Sequence, residues 1–461
     1  MIGNRVIRQI NLIFMKKILM FLEKFIDNLS SCCYTIFKIS SIGGVIFVMR
    51  DIHIKKPKVT VEGIFLSLLL FFSTFGQRIV IPLGGQQIAL IFPVTFAAFI
   101  IMLFSKKFSL YRMRLILFTL FWILTLSFLL FQEAFSATSI LFLLTLYLPF
   151  LFKFEFEDEM KLKYLRRFQN IVLFTAFFGI FQFASQAAGM DFFDPISIFP
   201  SNMIQLGYNT TYPITYGSPI SKPNGGFYLE PSLFSQFLAI SIIIEILFFK
   251  RWNRVFVLFV AIVTSFSGTG LIILMILGLP LLFKLKFKQA LVVILAGALV
   301  AVIFFNSEYG SVTSGRADEY NSQNSSFSIR FINPFKTIFS GDQKDMLIGH
   351  GSGQTERTQF PFEANFTAIP KLWYEYGFLP MIIFTLFLMH CFFFRNSSIL
   401  IAAIFLMYTF LSGSLLQPQT IYFSYFVLII SGFTITEELN QNIQPSKKKK
   451  QKRRRLKVTL I

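Results

Sequence analysis

Long apolar runs, each closed by a short polar or basic stretch, repeat along most of the chain. A helix of about 20 apolar residues covers the hydrocarbon core of a bilayer. The runs are continuous rather than alternating, and a segment surrounded by lipid must satisfy its own backbone, so they predict helices. The pattern predicts about twelve spans, over 61–76, 86–104, 114–131, 136–152, 168–188, 231–249, 253–267, 269–283, 288–305, 371–394, 397–415 and 419–435. Only Ser267-Gly268-Thr269-Gly270 separates the seventh from the eighth, which predicts a tight hairpin.

Two stretches break the rhythm. Residues 188–230 and 306–370 are long, polar and rich in Ser, Asn and Gly. A carrier or channel has no need of that asymmetry. Residues 1–60 form a basic N-terminal segment, 61–435 the membrane domain, and 436–461 a polybasic tail. The run Cys33–Met49 is broken by Lys38 and Gly43-Gly44, so it is read as peripheral; Met49 offers a second start for the functional chain, and no signal-peptide cleavage pattern is visible.

Composition agrees. The 461 residues are 54% hydrophobic, include 63 Phe and are only 14% charged, against about 25% charged in soluble domains. The net charge of +20 invites a nucleic-acid reading, but its placement argues otherwise. Basic residues recur in alternate short loops: Lys106, Lys107, Arg112 and Arg114; Lys161, Lys163, Arg166 and Arg167; Lys250, Arg251 and Arg254; Lys284, Lys286 and Lys288; Arg395. Such loops stay cytoplasmic. With both termini inside, twelve spans return the tail (Lys447–Lys450, Lys452, Arg453–Arg455, Lys457) to the cytoplasm and put both polar stretches outside. The tail suits anionic lipid headgroups rather than nucleic acid. Cys32, Cys33 and Cys391 form no disulfide framework, and His53, His350 and His390 have no partners at metal-ligand spacing.

Chemistry concentrates in the two outer stretches. The first ends Lys222-Pro-Asn-Gly-Gly-Phe-Tyr-Leu-Glu-Pro-Ser232. Pro231 suits a first helical turn. Glu230 beside it fits either a carboxylate stabilised at a helix start or, with Lys222, an acid–base pair at the membrane edge. In the second, Arg330 sits among Phe327, Ile329, Phe331, Ile332 and Phe335, with Lys336 nearby, which predicts an amphipathic segment on the membrane. A snorkelling Arg fits that pattern, and so does a guanidinium fork set for phosphate oxygens. Gly349-His350-Gly351-Ser352-Gly353 fits a turn or an anion cradle, and His350 a turn residue or a proton acceptor. Trp373, Tyr374 and Tyr376 fit an interfacial belt or a sugar-stacking platform.

These residues resemble a family, the O-antigen and capsule repeat-unit polymerases (Wzy-type), relatives of the O-antigen ligases. The likeness lies in Lys222–Ser232, in Thr264-Ser-Phe-Ser-Gly-Thr-Gly270, and in Ser328-Ile-Arg330 with Pro334, Gly349-His-Gly351 and Glu375-Tyr-Gly377. Two features depart from it: Gly268 stands where an Arg is common, and Ala368-Ile369-Pro370 where ligases show a His-Asn pair. The resemblance implies an all-α polytopic membrane protein of the GT-C-like kind in the bacterial inner membrane. It also implies glycosyl transfer between undecaprenyl-pyrophosphate-linked oligosaccharides on the outer face, with membrane lipids and a chain-length regulator as further partners and no cofactor or metal. On that reading Arg330 and Lys222 stabilise the departing pyrophosphate, with Arg316 and Arg357 behind them. Glu230 or His350 acts as base, and Lys336 and Tyr374 contact substrate. A ligase of the same fold and a lipid-linked oligosaccharide flippase are the competing readings.

Overall fold

The structure is a computed structural model that describes residues 60–83, 86–105, 108–214, 217–283, 290, 328–394, 398–411 and 414–432. Arg316, the stretch 306–326, the expected span 288–305 apart from residue 290, and nearly all of both basic terminal segments lie outside them.

The described residues are mostly helical. The first five helices are α1 (Val61–Thr74), α2 (Ile91–Ser105), α3 (Arg112–Leu129), α4 (Ala137–Tyr147) and α5 (Asp158–Ala187). Next come α6 (Pro231–Ile244, extended by a π turn to Phe249), α7 (Trp252–Thr264) and α8 (Gly268–Leu282). The short helices α9 (Asn333–Phe339), α10 (Gln343–Ile348) and α11 (Ala368–Tyr376) follow, then α12 (Phe378–Phe393), α13 (Ile399–Leu406, extended by a π turn to Leu411) and α14 (Pro418–Ser431). Among the described residues, three helices are long and apolar enough to cross a membrane: Arg112–Leu129, Asp158–Ala187 and Pro231–Phe249; eight others are apolar but shorter.

Local chemistry sets the helix starts. Thr60 Oγ1 accepts the Gly63 amide at 3.1 Å and caps α1; Ser136 and Ser398 cap α4 and α13 in the same way. Pro231 and Pro418 occupy first-turn positions in α6 and α14, where a missing N–H costs nothing. These two helices form the centre. Every residue of α6 except Ser232 is buried, and Phe237 stacks on Phe423 of α14 at 4.0 Å. Around them pack α1, α5, α8 and α13. The outside of the bundle is apolar too: α3 exposes Met113, Ile116, Ile123 and Leu126 along its length. Such a face is compatible with contact with lipid.

Three expectations need correction. The chain is not all-α: β1 (Val80–Leu83) pairs antiparallel with β2 (Gln86–Ala89), and β3 (Phe108–Leu110) with β4 (Phe152–Phe154). The segment expected as a helix from 86 therefore begins as a strand, because Gln86-Gln87 completes a ladder against Leu83-Pro82. The segment expected as one span over 371–394 is two helices that meet at Gly377, whose φ is +88°. A Cβ there would lie 2.3 Å from the Leu347 carbonyl oxygen, so the break is built by close backbone approach.

The stretch 188–230 is folded onto the bundle. Arg78 forks onto Asp194 at 2.7 and 2.8 Å, Ile79 bridges to Ile204, and Gln87 bonds the backbone of Ile204 and Leu206. Gln419 in the first turn of α14 donates to Gln205 Oε1 at 2.6 Å and to the Gln77 carbonyl at 3.0 Å. The loop thus closes one end of the helices.

A candidate active site between the two polar stretches

Glu230 precedes Pro231 in extended backbone (φ −144°, ψ 156°) and its side chain caps nothing. Its Oε2 accepts a hydrogen bond from Ser232 Oγ at 2.7 Å and faces Arg330 Nη2 at 3.9 Å. Each of the two side chains keeps about a fifth to a quarter of its surface open, at 20% for Glu230 and 24% for Arg330.

The Arg330 backbone lies in the π turn Ser328–Ile332 that leads into α9. That segment is anchored rather than free on a surface. Asn365 N–H donates to the Ile329 carbonyl, Asn333 Nδ2 donates to the Glu363 carbonyl, and α9 packs on α11 through Ile338, Phe366 and Tyr374. Arg330 Nη1 reaches the Leu411 carbonyl at 3.4 Å, where α13 ends.

Glu230 and Arg330 share a cavity of about 1150 Å³. Arg357 and Glu356 line it from the stretch 306–370, Gln205 and Tyr208 from the stretch 188–230, and Ser139 and Gln417 from the helix ends. Burial, then the charges of Glu230 and Glu356, push the Tyr208 hydroxyl above its ordinary value, so it stays a donor at neutral pH.

No protein-family model, curated protein or solved structure matches the chain. The chemistry must be read from the cavity.

The α7–α8 hairpin stands directly behind Glu230. Thr269 Oγ1 donates to the Ser232 carbonyl at 3.0 Å, and Ser235 Oγ lies 3.1 Å from both Ser267 Oγ and Thr269 Oγ1. Gly270 presses on α6 so closely that a Cβ would meet the Ser235 carbonyl at 2.3 Å. Stretches more than thirty residues apart, Glu230–Ser235 and Ser267–Gly270, therefore form one surface, and Arg330 completes it.

Other expected residues sit elsewhere. His350 and Tyr374 stack on each other at 4.0 Å and 9°, and His350 Nε2 lies 3.6 Å from Asp345. Neither lines the cavity, so no base and no sugar platform is built from them there. The amides of Gly349, His350 and Gly351 donate to the carbonyls of Asp345, Tyr374 and Glu375. The glycines let the loop lie against α11 and Ala134, where a Cβ on Gly351 would fall 1.8 Å from the carbonyl oxygen; they are not an anion cradle. Lys222 is buried, with Nζ 4.8 Å from the Tyr212 ring centroid, away from the cavity wall. Lys336 is exposed and stands 5.1 Å from the Phe362 ring centroid.

The structure adds a buried network centred on Lys371, a residue the sequence did not single out. Lys371 is 3% exposed; its Nζ bonds Glu356 Oε1 at 2.7 Å and lies 3.7 Å from Glu375 Oε1. Thr355 donates its hydroxyl and its amide to the same Glu375 oxygen. This ties Gln354–Arg357 to α11 and so places Arg357 at the cavity. Gln417 was also missed. Its signal was available, because Gln417-Pro418 repeats the pattern of Glu230-Pro231, a polar side chain just before a helix-opening proline.

Proposed function

We propose that this protein is a membrane glycosyltransferase that polymerises undecaprenyl-pyrophosphate-linked repeat units into O-antigen or capsular polysaccharide. In this reading about twelve helices cross the bacterial inner membrane, both termini are cytoplasmic, and the Glu230 cavity opens on the outer face. The carrying observation is the Arg330–Glu230 pair, 3.9 Å apart in a cavity bounded by both outer loops at the start of the most buried apolar helix.

The pair supplies what the transfer requires. A hydroxyl on the acceptor sugar attacks the anomeric carbon of the donor. The bond from that carbon to the pyrophosphate oxygen breaks as the new glycosidic bond forms. Glu230 takes the hydroxyl proton. Arg330 and Arg357 compensate the charge that collects on the departing pyrophosphate, in a site partly closed to water. Tyr208 offers a neutral O–H to the same oxygens or to a sugar hydroxyl. Lys371 holds Glu356, which leaves Arg357 on the adjacent residue free of that carboxylate.

The test is a chain-length ladder from cells whose own gene is replaced. Arg330→Ala should lower polymer by about 10²-fold, the usual effect of removing one preorganised charge-stabilising donor, and leave single lipid-linked repeats on the outer face. Arg330→Lys should recover part of the loss, because a point charge replaces a two-pronged fork. Repeats stranded on the inner face would indicate translocation instead, and a normal ladder from a well-expressed Arg330→Ala protein would refute the assignment.

A further inference from the structure

The bundle has a second cavity, of about 610 Å³, which the reaction above does not use. It lies at the other end of the helices. Helix α14 makes this plain: Gln417 and Pro418 at its start line the Glu230 cavity, and Leu428, Ile429 and Gly432 at its end line the second one. Pro418 and Leu428 lie ten residues apart on that helix, a rise of about 15 Å. Arg114, Lys153 and Lys161 stand at this end, the side that the charge pattern of the sequence expects to face the cytoplasm.

Its chemistry is that of an amphiphile site. Arg114, Lys153 and Lys161 line it, with Glu155 as the acidic residue on its wall. Glu155 is 88% exposed and sits 3.5 Å from Lys153, and Lys161 is held by Asp158 at 2.8 Å and by the Gly432 carbonyl at 2.7 Å. Arg114 is different. It is 8% exposed, and its guanidinium donates only to neutral carbonyls, Phe150 at 2.9 Å and Cys391 at 3.2 Å, while it packs on the Tyr111 ring. Its Nε has no hydrogen-bond partner, and no carboxylate pairs with it among the described residues. A buried cation without a counter-charge is costly, and such a site is completed by an anion. The remaining walls are apolar: Phe392, Leu428 and Ile429 at helix ends, and Phe152 and Phe154 on β4.

We propose that this cavity binds the phosphate of an anionic glycerophospholipid from the inner leaflet. Arg114 contacts the phosphate oxygens, Lys153 stands at the rim, and the acyl chains leave along the apolar helix ends. A basic pocket between helices on the cytoplasmic side is a physical match for such a headgroup. The inference rests on the apolar helices and on this cavity, not on the glycosyl-transfer reading, and it survives or fails separately.

The experiment uses the full-length protein, purified in a neutral detergent. Native mass spectrometry and thermal unfolding would follow additions of short-chain phosphatidylglycerol, short-chain phosphatidylcholine or inorganic phosphate. Phosphatidylglycerol should bind and raise the unfolding temperature, phosphatidylcholine should do so far less, and inorganic phosphate should not substitute at equal concentration. Arg114→Gln should weaken phosphatidylglycerol binding about tenfold, the effect of one lost charge-assisted contact. Arg112→Gln, exposed on the same turn and outside the cavity wall, should change nothing. Should Arg114→Gln fail to fold, Lys153→Gln carries the test, with a smaller loss expected. Equal binding of both lipids, equal binding by wild type and the cavity variants, or saturation by inorganic phosphate alone would each overturn the proposal.

Discussion

At the scale of single residues, the Glu230 cavity divides labour by burial. Glu230 and Arg330 are partly open and face each other, whereas Lys371 and Glu375 are closed off and hold a loop in place. Tyr208 falls between the two. Its hydroxyl is pushed up by burial and by Glu230 and Glu356, so the neutral form extends further into alkaline pH than for a free phenol. Loss of its proton therefore contributes no falling limb below about pH 10, the ordinary phenol value. Tyr208→Phe should slow polymer formation several-fold at pH 7 by removing one donor, and the pH–rate profiles of variant and wild type should run parallel up to pH 9. A wild-type limb near pH 8 that disappears in Tyr208→Phe would contradict this placement. Glu230 and Arg330 were legible in the sequence because charged residues at the edges of apolar runs stand out. Lys371 was not, because it opens a run that reads as a belt of Trp and Tyr, and Glu375 stood out only as part of Glu375-Tyr-Gly377, with no partner to name.

At the scale of elements, the hairpin between α7 and α8 is the support that fixes Glu230. Gly270 meets α6 through backbone, so a methyl group cannot be accommodated by turning a side chain. Gly270→Ala should cost at least about 1–3 kcal/mol, as overpacking commonly does, and should lower transfer more than stability because Thr269 and Ser267 move with it. Gly268→Ala is the matched control: nothing lies within 4 Å of its added Cβ, so unfolding temperature and polymer yield should stay near wild type. The periodicity placed most helices, since continuous apolar runs have one solution in lipid. It missed the β1–β2 ladder because Gln86 and Gln87 border an apolar run and their pairing partners are set by a turn. The break at Gly377 escaped it as well, since the need for glycine there comes from Leu347 and Ile348, thirty residues away in sequence.

At the scale of the whole molecule, the two cavities at opposite ends of α14 define an axis. The orientation along it is testable with single cysteines in a protein whose own cysteines are replaced. Ser201→Cys, exposed in the first outer loop, should react with a membrane-impermeant maleimide in intact spheroplasts. Arg112→Cys, exposed at the other end, should react only after lysis. The opposite pattern would invert the orientation and put the Glu230 cavity on a face where the proposed chemistry has no substrate. The folding of 188–230 onto the bundle did not show in the sequence. That docking depends on Arg78–Asp194 and on the glutamines at 77, 87, 205 and 419, and pairs so far apart leave no periodic trace.

The size of the Glu230 cavity bears on how a product could be counted. At about 1150 Å³ it is at the upper end of the range for pockets that enclose small ligands. In the proposed reaction it can surround only the reacting ends of the two chains. A donor a few repeats long and one of a hundred repeats present the same end to it, and the remainder trails outside. Such a site has no ruler, and the final length of the product must be set by whatever competes with it for the lipid-linked end.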